Sequence, residues 1–199
     1  MARETATAPP RPEWRWTLTA GCVTLLLALV AFFLPDIEWA PTGGIVGWVL
    51  LIAGLFELAF GWKRGLDAVG EAAVGSGLVT AAAGLLFVAK PLTSYFPVAN
   101  VVMIWLFVRG AWVLAMSLRA RSQSLSPWLA LTGAVDVVLG ITLFSDLPIT
   151  VLVYLLFGPT PDMVARFALF LAASFLVTAI SQIAIALAER RRSTIVHAV

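Results

Sequence analysis

The chain is 199 residues long, 61% hydrophobic and only 12% charged, with a formal net charge of +2. A soluble domain carries about a quarter charged residues and roughly half apolar ones, and a globule this small keeps too much surface exposed to hide such an apolar surplus. Soluble enzymes, nucleic-acid binders and disordered regulators are excluded, which leaves an all-α integral membrane protein.

The first 13 residues contain Pro9, Pro10 and Pro12 and read as an unstructured tail. Six apolar stretches follow, at 16–34, 43–62, 69–89, 97–118, 127–145 and 163–188. Each is long enough to cross a ~30 Å hydrocarbon core at about 1.5 Å per residue. Together they define a transmembrane domain over 14–192, with a C-terminal tail at 193–199. The first stretch is not a cleaved signal, because no small-x-small site follows Leu34. Between Pro148 and Pro159 lies a further apolar segment, 149–158, too short to span. It can lie along the outer surface, dip inward, or lengthen the sixth helix; an interfacial segment is expected.

Ten of the thirteen Lys and Arg residues fall on one side of this arrangement: Arg3, Arg11, Arg15, Lys63, Arg64, Arg119, Arg121, Arg190, Arg191 and Arg192. Lys90 and Arg166 fall on the other, beside Asp36, Glu38, Asp146 and Asp162. The positive-inside rule then places both termini in the cytoplasm. Trp14, Trp16, Trp62 and Trp128 mark the inner boundary, and Trp39 and Tyr95 the outer one, as an aromatic belt.

Small residues recur every seven positions: Gly47, Gly54 and Gly61; Gly70, Gly77 and Gly84; Gly133 and Gly140. Aligning Gly21, Gly77 and Gly133 brings Pro35 and Pro91 into register, with Pro148 one residue late. Aligning Gly54, Gly110 and Ser181 does the same for Lys63, Arg119 and Arg190. The chain is therefore three tandem helical hairpins, at about 16–62, 69–118 and 127–188, the third with a lengthened outer loop. Seven-residue spacing returns to nearly one helix face, and small residues there let backbones approach closely.

Ionisable residues inside a span are expensive and mark candidate sites. Arg109 lies ten residues before Arg119, and Asp136 ten residues after Ser126. Both therefore sit about 15 Å from the basic boundary. They are expected to pair across the fourth and fifth helices, either as a structural ion pair or as a proton- or ion-responsive centre. Glu57, six residues before Lys63, is a possible relay towards the cytoplasm. The repeat places Thr24 and Thr80 where the third hairpin carries Asp136. With one Cys (Cys22) and one His (His197), neither a zinc site nor a His-dependent nucleophile is expected. No catalytic residue, metal or cofactor is assigned.

The spacings Gly77–Gly84–Pro91, Gly133–Gly140–Pro148 and Gly47–Gly61, with the short basic inner loops, resemble the HdeD family of small bacterial membrane proteins. The resemblance implies a multi-pass protein of the cytoplasmic (inner) membrane, a link to acid or stress resistance and no established active site. Two other readings stay open: a small proton, ion or solute transporter built on Arg109, Asp136 and Glu57, and an accessory subunit that docks through 149–162. The expected partners are the lipid bilayer and either a second copy or a larger membrane complex, with no nucleic acid.

Overall fold

The computed structural model describes residues 14–33, 42–65, 67–89, 95–120, 126–157 and 161–196. These form six helices: α1 (Trp14–Phe33), α2 (Thr42–Arg64), α3 (Ala68–Ala89), α4 (Tyr95–Arg119), α5 (Ser126–Phe157) and α6 (Pro161–Val196). Each contains a stretch long and apolar enough to cross a membrane, and the protein is a multi-pass membrane protein. The tail at 1–13, Pro35, Asp36, Glu38, Trp39, Lys90, Pro91, Arg121 and His197 lie outside the described residues, as do the side chains of Tyr95, Asp162, Arg166 and Arg192.

Helix starts follow local chemistry. Pro97 and Pro127 sit in the first turns of α4 and α5, where a missing N–H breaks no intrahelical bond. Asp67 caps α3: its carboxylate accepts the Gly70 amide at 2.7 Å, and its carbonyl accepts the Glu71 amide at 2.8 Å. Gly65, with φ of 86°, takes the left-handed conformation that lets the chain reverse between α2 and α3.

Two expectations are corrected. The apolar run after Pro148 is not a segment separate from the fifth helix, because α5 continues through it to Phe157. Proline removes one backbone bond but is tolerated in apolar membrane helices, where neighbouring groups re-satisfy the freed carbonyl. At the other end, α6 runs on through Arg192 to Val196, so most of the segment taken as a C-terminal tail is helical.

The helices form a ring in which each touches its neighbours in sequence and α6 returns to α1. The closest pairs are α2 with α3, α4 with α5, and α6 with α1. Tight packing therefore joins one repeat to the next, while the two helices of a hairpin touch more loosely. The glycines explain why. Gly54 meets Gly77, Gly47 meets Gly84 and Gly61 meets Gly70, a single antiparallel register stepping seven residues at a time along α2 and α3. A Cβ on Gly77 would stand 2.7 Å from the Leu58 amide nitrogen and 2.8 Å from the Gly54 carbonyl. Gly110 and Gly133 repeat this contact between α4 and α5, and Gly21 faces Ala179 and Ile183 across α1 and α6. Gly140 differs, since it meets only the ring of Phe107, at 3.4 Å.

Small residues fill the interior, among them Ala20, Ala28, Ala53, Ala83, Ala172 and Ala179, while Leu26, Ile52, Leu78, Leu85, Ile104 and Ile141 face outward. Lipid tails are as apolar as leucine, so burying large aliphatics gains little and close backbone approach decides which face turns inward. Gly54→Ala should therefore lower stability in mild detergent by about 1–3 kcal/mol, the usual cost of overpacking. Gly44→Ala, which meets nothing within 4 Å, should be neutral or stabilising. Equal thermal unfolding midpoints for the two variants would contradict the observed register.

Candidate functional site

Arg109 on α4 is buried at 1% exposure, and three other helices supply its partners. One terminal nitrogen, Nη1, pairs with Asp136 on α5 and donates to Ser174 Oγ on α6 at 3.1 Å. The other, Nη2, donates to Glu57 Oε1 on α2 and to Thr178 Oγ1 on α6, each at 3.0 Å. Helix spacing produces this fork, because Ser174 and Thr178 are four residues apart and share one face of α6. Each hydroxyl works in both directions. Ser174 donates to Asp136 Oδ1 at 2.6 Å, and Thr178 donates to the Ser174 carbonyl at 2.8 Å. Glu57 is held in turn by Ser76 on α3, whose hydroxyl donates to Oε2 at 3.0 Å.

Trp105, one turn before Arg109, presents its ring to the guanidinium, with Cζ 5.7 Å from the ring centre. Its indole N–H donates to Thr80 Oγ1 at 3.0 Å, and its ring meets Phe175 edge-on. The three repeat-equivalent positions thus all point inward but serve different pairs. Thr24 bonds Gln182 on α6, Thr80 accepts from Trp105 on α4, and Asp136 binds Arg109.

The sequence-derived pair Arg109–Asp136 is formed, and Glu57 joins it directly through Arg109. Sequence reasoning missed Ser174, Thr178, Ser76 and Trp105. It also missed a second buried arginine. Arg64, at the end of α2, donates from Nε to Asp67 at 2.9 Å and from Nη1 to Thr17 Oγ1 at 2.8 Å, and pairs with Glu189 on α6. The available signals were an acid three residues after Arg64 and a lone Glu189 preceding three arginines.

One guanidinium and two carboxylates leave the centre with one more negative than positive charge when all are ionised. Each buried ion costs several kcal/mol of desolvation, which the mutual attraction roughly offsets. Such a centre adds little net stability, yet it punishes loss of one member heavily. Arg109→Met should destabilise the protein by about 3–5 kcal/mol. The triple variant Arg109→Met, Glu57→Gln, Asp136→Asn should recover most of that loss. Denaturant unfolding in detergent measures both, and a triple variant as unstable as the single one would dissolve the coupling.

A family model described as a short repeat of unknown function (DUF308) matches the chain twice, over residues 19–84 and 75–145. The two matches begin at 19 and 75, the same 56-residue offset that separates Gly21 from Gly77 and Gly77 from Gly133. No curated protein and no solved structure shows a significant match to the chain.

Proposed function

The chain belongs to the DUF308 family, and from that premise we propose that it is a non-enzymatic membrane protein of acid or stress resistance, acting through the ionic centre on Arg109. The observation that carries this reading is the sharing of one buried guanidinium by two carboxylates from different helices. A surplus negative charge in low-dielectric surroundings is neutralised by one proton, so acid changes the charge of the very group that holds four helices together. The Gly-rich hairpins and their likeness to HdeD-type proteins support the same assignment. The side chains of the centre are engaged with one another, which suits a responsive structural element better than a catalyst.

The ten basic residues on one side support a cytoplasmic-membrane location with both termini inside. The lipid bilayer is the first partner, and a homo-oligomer or a larger membrane complex the next.

A transporter reading draws on one feature, a cavity of about 40 Å³ lined by Glu57 and Arg109. Two assays separate the alternatives. Cells expressing the wild-type chain should survive acid challenge better than cells expressing Asp136→Asn at equal membrane levels, and equal survival would overturn the resistance reading. In proteoliposomes the wild-type protein should leave a proton gradient intact. A gradient that the wild type dissipates and Glu57→Gln preserves would establish the transporter.

A further inference from the structure

The cavity beside the ionic centre is off-axis, and it touches the two carboxylates unequally. Glu57 lines it, together with Ser76, Arg109, Thr132, Ser181 and Gln182, whereas Asp136 does not. Asp136 is enclosed by Arg109 and Ser174, with both carboxylate oxygens engaged and no measurable exposure. Arg109 Nε is fully buried and has no hydrogen-bond partner among the described residues. A cavity holds water when it offers roughly 10–15 Å³ per molecule and several polar partners. This one, at about 40 Å³, meets both conditions.

The two ends of the bundle close the centre off to different degrees. Towards the α2–α3 and α4–α5 turns, the cavity is lined by the apolar Val69, Val113, Leu129 and Ile185. Towards the opposite end Phe87, Trp105, Leu106, Phe167 and Phe175 are almost completely buried, and none of them lines the cavity. The cavity therefore extends from the ionic centre towards the basic end.

We propose that this cavity is a hydrated chamber holding a small water cluster, and that Glu57, not Asp136, is the carboxylate that takes up a proton through it from the basic end. The proposal rests on the reading of the centre as acid-responsive and assigns its working group. In the uptake step a proton from bulk water, carried along the chamber's waters, forms an O–H bond on Glu57. The charge of the centre passes from one negative to zero. Arg109 on α4 and, behind it, Asp136 on α5 are the charged groups facing Glu57, while α3 and α6 present the neutral Ser76, Thr178, Ser181 and Gln182. Asp136 stays bound to Arg109 and Ser174, so the α4–α5–α6 contact persists when the α2–α4 contact loses its charge.

Infrared difference spectroscopy of the full chain in phosphatidylcholine–phosphatidylglycerol vesicles, between neutral and acidic pH, reads this step directly. The wild type should show a C=O stretch from a carboxyl in apolar surroundings, above the frequency of surface carboxyls. That band should disappear in Glu57→Gln, shift in Glu57→Asp and persist in Asp136→Asn. Ala73→Leu, which fills the chamber, should slow its rise after a pH jump roughly tenfold, the scale of one lost water-mediated hydrogen bond. A band that survives in Glu57→Gln and vanishes in Asp136→Asn overturns the assignment while leaving the acid-responsive reading intact. Its absence from the wild type overturns both, and an unaltered rate in Ala73→Leu removes the chamber.

Discussion

A guanidinium placed midway along lipid-crossing helices constrains everything around it. Arg109 is almost completely buried, and a bare charge there is costly by any scale. Two acids and two hydroxyls are brought to it from α2, α5 and α6, and their convergence sets the depth and rotation of those helices. Glycine contacts govern how near two helices come. The arginine governs which residues must face each other once they are near.

These two devices divide the work of a fold that has little hydrophobic driving force between its helices. The seven-residue small positions repeat in all three hairpins and build a quasi-threefold ring. On that scaffold the chain is allowed to differ. Thr24 and Thr80 keep hydroxyls where the third copy has Asp136, and only α4 carries an arginine at the matching depth. Local symmetry therefore supplies the frame, and its breaking at one point concentrates charge there.

Much of this is legible in the amino-acid order. Six spans, the repeat and the Arg109–Asp136 pair follow from apolar run length, glycine spacing and equal distance from boundary residues. Glu57 reads as shallower than Arg109 because depth along a helix ignores the reach of an arginine side chain, which bridges the difference. Ser174 and Thr178 are invisible for another reason: a neutral hydroxyl in an apolar helix scarcely changes hydropathy, although it completes the site. Pro148 misleads in the opposite sense. Proline reads as a helix end, yet the apolar residues beyond it continue as helix without that one backbone bond. Pairing between repeats is also hidden, since adjacency in sequence favours the hairpin while glycine register favours its neighbour.

The return of α6 to α1 has a consequence for how the molecule is made. Those two helices are among the closest pairs, although one is the first described segment and the other the last. During synthesis α1 enters the bilayer with Thr17, Gly21 and Thr24 lacking the partners that α6 brings, Glu189, Ile183 and Gln182. The α2–α3 and α4–α5 contacts form between consecutive segments, but the ring shuts only once α6 has been inserted. Assembly of the ring is thus vectorial up to α5 and non-local at its closure, and the unfinished ring carries a polar seam that α6 must seal.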